Sequence, residues 1–274
     1  LGRCAGCLLG KPVEGLRKEQ IEEWLKMADA YPLANYFPSF HELPVDAPEW
    51  LKNRLSRIEA TTRKMRRGVL LGEIARMARD DDIDYTILGL HILENYGPDF
   101  TTMDVGEAWL SLVPYLGVFT AERAAYRNLV NGILPPESAT HVNPYREWIG
   151  AQIRADMWGY VTPGMPELGA KLAYRDAKLS HVKNGIYGEM FVSAMLSASF
   201  VTNSVEKIIE VGLSAIPEKS RLAEAVRDTI AWSKEYGNWR DAWLKMMEKY
   251  GHYHGVHTIN NCLLYTSDAA DEED

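Results

Sequence analysis

Tyr187 to Val201 (YGEMFVSAMLSASFV) is apolar or small around nearly the whole circumference that a helix would present. The stretch is shorter than the ~20 residues a bilayer span requires, so it reads as a central helix enclosed by other helices. The flanking sequence has the periodicity to supply them. Tyr85, Leu88, Ile92 and Tyr96 share one face of a segment that opens on acids and stops at Gly97-Pro98. Pro166 and Glu167 suit the first turn of a helix running towards Ser180, because a proline there lacks only an N–H that has no intrahelical partner. Ser204 caps a helix ending at Ile216-Pro217, a further amphipathic stretch reaches Gly237, and Asn238 with Asp241 forms a capping pair before a helix to Tyr250. Alternating Val/Ile/Thr runs with hairpin signals are absent, and Tyr31 to Pro48, rich in Pro and aromatics, reads as a long loop. The expectation is an all-α fold in a single compact multi-helix domain, which 274 residues at 46% hydrophobic content can fill with a core.

Charge and cysteine usage exclude several classes of function. The net charge is −8, but five acids stand in the last seven residues, and without them the body carries −3. A near-neutral body offers neither the basic face that nucleic acid requires nor a cationic surface for anionic membranes, which leaves small molecules as ligands. No run approaches a bilayer span, and Leu1 to Gly10 has no charged n-region followed by a small-residue cleavage site. Cys4, Cys7 and Cys262 make no disulfide framework, and Cys4-x-x-Cys7 has no second pair to complete a structural zinc site. A reducing compartment, the cytoplasm, is expected. At the ends, the chain opens on Leu inside a Gly-spaced segment, and Cys262 to Glu272 (CLLYTSDAADE) resembles an in-frame translation of a transposase sequencing adapter. The expected division is a helical fragment over 1–261 and a disordered, adapter-derived tail over 262–274.

The densest chemical signal is Asp80-Asp81-Asp82-Ile83-Asp84, followed by Tyr85-Thr86 and a helix. Adjacent carboxylates repel and raise each other's pKa unless a cation neutralises them, so the run suits a hard divalent metal such as magnesium; a solvated acidic turn at the positive end of a helix is the plainer alternative. The run also fits Asp-Asp-x-x-Asp, the magnesium-diphosphate motif of all-α terpenoid synthases. The second Asn/Asp-Asp-x-x-Ser/Thr-x-x-x-Glu motif of those enzymes is missing, which makes a terpenoid-synthase-like enzyme the alternative reading.

Four motifs in order carry a wider resemblance. Gly6-Cys7-Leu8-Leu9-Gly10-Lys11-Pro12-Val13-Glu14, then Asp80-Asp81-Asp82-Ile83-Asp84-Tyr85-Thr86, then Gly150-Ala151-Gln152-Ile153-Arg154 with Gly159, then Ser180-His181 together resemble the ADP-ribosylglycohydrolase family, which includes the dinitrogenase reductase-activating glycohydrolases. Cys7 stands where the family often has Asp, Asp80 where it has a Thr ligand, Ile83 where it has a second Thr, and Ile149 where it has Asn. The family's second acidic motif, Asp-x-Asp-Thr/Ser, which completes a two-magnesium site, has no counterpart from Tyr250 to Asn261.

The resemblance implies a magnesium-dependent hydrolase of the all-α ADP-ribosylglycohydrolase type. The intact protein would cleave the glycosidic bond of an ADP-ribosylated protein side chain or a small ADP-ribosyl conjugate, and a fragment without the second acidic motif is expected to be inactive. A non-catalytic ADP-ribose binder or structural relative, suggested by Asp80 and Ile149 at the Thr and Asn positions, is the second alternative. Asp81 and Asp82 are expected to hold the first ion with Asp80 as a third ligand, an Asp being able to replace a Thr hydroxyl at a hard metal. Glu14 matches the family acid that acts on water or leaving group; the plainer reading is a surface carboxylate beside Lys11 and Lys18. Gly150 and Gly159, with Ala151 between them, are expected to let backbone approach a diphosphate, although glycines in helical proteins also serve helix contacts and caps. Arg154 is expected to pair with phosphate or with a buried acid such as Asp156. His181 is either a ligand contact or a satisfied core imidazole. Asn184 and Tyr187, with Tyr187 stacking on adenine, form either a pocket wall or the turn into the buried helix.

Overall fold

The computed structural model describes residues 1–65 and 68–268, and among them it is helical with no strand. All-α is therefore the fold class, as the periodicity implied. The chain gathers into two compact units, Leu1–Ile83 and Asp84–Asp274.

In the first unit, α1 (Gly2–Gly10) runs into a 3₁₀ turn at Lys11–Val13, followed by α2 (Lys18–Met27) and α3 (Glu49–Met65). The Gln20 side chain accepts the Arg17 N–H at 3.0 Å and so caps the start of α2. Tyr31 to Pro48 between α2 and α3 holds no helix, as expected of its composition. The core of this unit joins Leu8 of α1, Trp24 and Leu25 of α2, Phe37 of the loop, Leu51 of α3, and Val69 and Leu70 beyond it. Leu51, Leu55 and Ile58 recur at helical spacing and give α3 one apolar face towards that core.

The second unit takes up α4 (Asp81–Tyr96) from Asp84, then α5 (Thr102–Leu112), α6 (Thr120–Val130), α7 (Ala155–Tyr160), α8 (Pro166–Ala177), α9 (Asn184–Ser199), α10 (Val205–Ser214), α11 (Arg221–Tyr236), α12 (Trp239–Tyr250) and α13 (Thr258–Asp268). The small, apolar α9 is in contact with α7, α8, α10, α11 and α13, the central position its composition requires. The expected caps are present. Ser204 and Asn238 accept the N–H of Lys207 and Asp241, and Gly237 closes α11 at φ 61°, a left-handed conformation that favours glycine. One core packs Tyr85, Leu88 and Ile92 of α4 with Trp109, Trp158 and Leu172; another packs Phe191 of α9 with Leu222, Val226, Met246 and Ile259.

The tail differs from expectation. Helix α13 continues through Asp268, whereas disorder was expected from residue 262. Ile259, Cys262 and Leu263 share one helical face and are buried in the second core, so the segment has an apolar stripe to bury after all. Residues 269–274 of that expected tail lie outside the described residues. No described helix is long and apolar enough to cross a membrane.

Candidate active site

Arg3, Cys7 and Lys11 follow one another at four-residue spacing, so α1 and the turn after it present them in a row. The row faces the acidic run. Arg3 donates through Nε and Nη2 to the Asp82 carbonyl at 3.2 and 3.0 Å, and Nη2 stands 3.6 Å from Asp82 Oδ1. Lys11 Nζ lies 2.7 Å from Asp80 Oδ2 and 3.1 Å from Glu14 Oε2. Between these two cations, Cys7 Sγ and one carboxylate oxygen each of Asp80 and Asp82 lie within 4.8 Å of one another.

This donor set differs in one member from the expected one. Asp80 and Asp82 come together, but the third donor is Cys7, and Asp81 instead shares a hydrogen bond with Asp80. Burial, the hydrogen bond with Asp80 and the charges of Asp80 and Asp82 push Asp81 up to about 8. Burial acts on Asp80 too, yet the hydrogen bonds from Asp81 and Lys11 outweigh it and hold Asp80 below the usual carboxylate range. Asp82 is raised by burial, against the pull of Arg3. Burial and the charges of Asp80 and Asp82 push the Cys7 thiol up to about 12. Two carboxylates suit a hard divalent cation, and the thiol suits a softer one. Lys11 already pairs with the Asp80 carboxylate that a cation there would use.

Glu14 closes the 3₁₀ turn and is exposed. Its backbone is braced from α3: Arg54 donates to the carbonyls of Pro12 at 2.8 Å, Glu14 at 3.1 Å and Lys11 at 3.3 Å. The Glu14 carboxylate is thus tied through Lys11 to Asp80 while its main chain is fixed by one guanidinium.

In the second unit, the structure places Arg154 among buried acceptors. It is 2% exposed, and five acceptors meet its five N–H donors. Nε donates to Asp176 Oδ2 at 2.6 Å, Nη1 to Glu122 Oε1 at 2.9 Å and the Gly150 carbonyl at 3.1 Å, and Nη2 to Ser180 Oγ at 3.2 Å and the Asp176 carbonyl at 3.3 Å. The buried-acid alternative therefore holds, with Glu122 and Asp176 in place of Asp156, while the rings of Tyr85 and Trp109 lie 5.5 and 5.1 Å from the guanidinium. Burial and Asp176 raise Glu189 well above the usual carboxylate range, and burial raises Glu122 to about 7.

The other residues expected at a ligand sit inside the same unit. A Cβ on Gly150 would meet the Glu122 carboxylate, and a Cβ on Gly159 would lie 2.5 Å from that of Leu196, so both glycines serve internal close approach. Ala151 is enclosed with Ala177 and Ile186, and the half-buried Tyr187 packs against that group. His181 is fully buried with Nδ1 2.8 Å from Ser180 Oγ, while its Nε2 is buried without a hydrogen-bond partner among the described residues; burial and the Arg154 charge lower its pKa well below the usual imidazole value. Asn184 donates to Glu147 Oε2 at 2.8 Å and accepts the Leu222 N–H at 3.2 Å, shaping the entry to α9. Sequence reasoning passed over Glu122, Asp176 and Glu189. The available signal was Glu189 itself, an acid within an otherwise apolar helix, where burial demands a partner.

A family model described as ADP-ribosylglycohydrolase matches residues 1–272. No curated protein and no solved structure matches the chain.

Proposed function

The chain belongs to the ADP-ribosylglycohydrolase family, and from that membership we propose that it is a magnesium-dependent hydrolase of the glycosidic bond in ADP-ribosylated protein side chains or small ADP-ribosyl conjugates. The observation that carries this reading is the convergence of Cys7, Asp80 and Asp82, with Glu14 joined to Asp80 through Lys11. Asp80 and Asp82 would hold a magnesium ion, with Cys7 beside them. When bound, such an ion supplies positive charge that polarises and orients oxygen ligands, ribose hydroxyls and water among them.

Cleavage at an anomeric carbon passes through an oxocarbenium-like transition state and needs a carboxylate to move a proton to the leaving group or from the attacking water. Glu14 is the exposed carboxylate at this edge. The Arg54 bonds hold its backbone, and the Lys11 ammonium lies 3.1 Å from its exposed carboxylate. Three free thiols suit work in a reducing compartment such as the cytoplasm.

The test is release of ADP-ribose from ADP-ribosyl-arginine and ADP-ribosyl-serine by the 274-residue chain in magnesium. Glu14→Gln is expected to lower turnover roughly a hundredfold or more while ADP-ribose still binds. Binding without turnover in the unaltered chain would instead favour the non-catalytic binder, a reading motivated by the two cations already compensating the acidic run.

A further inference from the structure

Glu14 has φ −50° and ψ 121°, Gly15 has φ 77°, and the Leu16 N–H donates to the Val13 carbonyl at 2.9 Å. These values describe a type II turn with Glu14 and Gly15 at its centre. The competing type I turn keeps the same closing bond but turns the Glu14–Gly15 peptide over, with ψ of about −30° at Glu14 and a negative φ at Gly15. The direction of one carbonyl, that of Glu14, therefore tells the two turns apart.

Arg54 holds that carbonyl. Its Nη2 donates to the Glu14 oxygen at 3.1 Å and to the Lys11 oxygen at 3.3 Å, and its Nε donates to the Pro12 oxygen at 2.8 Å. The Lys11 and Pro12 carbonyls belong to the 3₁₀ turn, so two of these bonds fix the approach to Glu14 and the third fixes the plane of the peptide after it. The guanidinium reaches out from a packed helix, since Leu51, Leu55 and Ile58 seat α3 in the core of the first unit. At Gly15 an added Cβ would meet nothing within 4 Å, so this glycine serves the left-handed φ and not close approach. Arginine and glycine favour the same orientation from the two ends of one peptide.

We propose that Arg54 is a positioning residue for Glu14: by holding the Glu14 carbonyl it locks the Glu14–Gly15 peptide in the type II orientation, and the carboxylate stands where that orientation puts it. The Glu14 side chain leaves the main chain between the braced 3₁₀ turn and this peptide, so turning the peptide re-aims it relative to Lys11 and Asp80. Misplacing a catalytic group by ~1 Å costs on the order of a hundredfold in rate. The kinetic consequence rests on the glycohydrolase reading, in which Glu14 handles the proton; the hold on the peptide does not.

Glu-Gly occurs once in the sequence, so a 274-residue chain labelled with carbon-13 at glutamate carbonyls and nitrogen-15 at glycines gives a single carbonyl-correlated amide signal, that of Gly15. Arg54→Ala is expected to move or split this signal, added guanidinium ion to return it, and Arg54→Lys to shift it less. Arg63→Ala, on the same helix but paired with Glu59, should leave it in place. In the ADP-ribose release assay, Arg54→Ala should lower kcat roughly tenfold or more with KM within about twofold of the parent, and guanidinium ion should restore part of the loss. Gly15→Ala should also lower kcat, and Gly15→Asn much less, because Asn tolerates the left-handed region. Since both changes act through one peptide, the Arg54→Ala/Gly15→Ala double variant should lose far less than the product of the two single losses. Melting temperatures show which variants are folded; if Arg54→Ala is not, Arg54→Lys and the two Gly15 variants carry the same test. An unmoved Gly15 signal, multiplicative losses in the double variant, or unchanged kcat in Arg54→Ala of an active parent would overturn the positioning role alone. A signal that moves in Arg54→Ala while the parent releases no ADP-ribose sinks the glycohydrolase reading alone.

Discussion

A Cβ built on Gly150 would fall 1.8 Å from Oε1 of Glu122, closer than any two such atoms can stand. The hydrogen atom of Gly150 is therefore what makes room for a buried carboxylate, and that carboxylate accepts from Arg154 at 2.9 Å. The Gly150 carbonyl accepts from the same guanidinium at 3.1 Å. Glycine, acid and arginine form one packed unit joining α6, the turn before α7, and α8.

Gly150→Ala is accordingly expected to destabilise the protein by roughly 1–3 kcal/mol or more, since the new methyl must displace a hydrogen-bonded carboxylate from a close-packed site. Urea midpoints of the two proteins measure it. A midpoint equal to that of the parent would mean that Glu122 is not held where the structure has it.

The same carboxylate makes stability depend on pH. Burial raises Glu122 from 4.5 to about 7, so between those values the folded protein holds a proton that the unfolded chain has released. The unfolded state binds fewer protons there, and this group's contribution to stability falls as pH rises through the window and levels off above it. His181 has the opposite sign, because its folded value lies below 6.5 and its contribution rises towards that pH. The informative quantity is the stability of the parent relative to Glu122→Gln, which should decline between about pH 4.5 and 7.5. A difference that stays constant across that range rules out a buried titrating Glu122.

At the other end of the second unit, Leu263 is 3% exposed and packs with Ile259, Leu222 and Val226. Leu263→Ala should cost about 2–5 kcal/mol, the ordinary loss for a buried leucine. A chain stopped after Asn261 should melt lower for the same reason. If thermal scans of the full and shortened chains coincide, the last turns of α13 contribute nothing to the core.

Why some of this was readable in advance, and some was not, follows from the range of each interaction. The face of Tyr85, Leu88 and Ile92, the caps at Ser204 and Asn238 and the left-handed Gly237 depend on neighbours within a turn or two, and the sequence displays those neighbours. Arg154 depends on Glu122, 32 residues before it, and Asp176, 22 after it, acids brought from separate helices. No local pattern marks such a pairing, so for Gly150, His181 and Arg154 the sequence leaves a ligand contact and an internal role open together, and the geometry places all three inside the unit. The acidic run was visible, and Cys7 was visible as a departure from a motif. That the two meet depends on residues more than 70 apart, as in the bond from Arg3 to Asp82. The run alone also matched a terpenoid-type motif; the missing second motif of those enzymes counted against it, and the match over 1–272 assigns the family.

Cys7 gives the last prediction. Its thiol lies within 4.8 Å of the nearest donor oxygens of Asp80 and Asp82, so the candidate centre mixes two hard ligands with one soft one. Magnesium is bound through oxygen and gains little from sulfur, whereas zinc binds thiolate well and releases the thiol proton as it does so. The unaltered chain should therefore bind zinc more tightly than magnesium, and Cys7→Asp should shift the preference by raising magnesium affinity and lowering zinc affinity. Calorimetry with each metal alone reads both changes, and proton release on zinc binding, taken from the dependence of the heat on buffer, should fall in the variant. Asp80→Asn should weaken both metals, which separates loss of the site from a change in its selectivity. If Cys7→Asp leaves the zinc to magnesium ratio and the proton release unchanged, the thiol is a neighbour of the centre and not one of its donors.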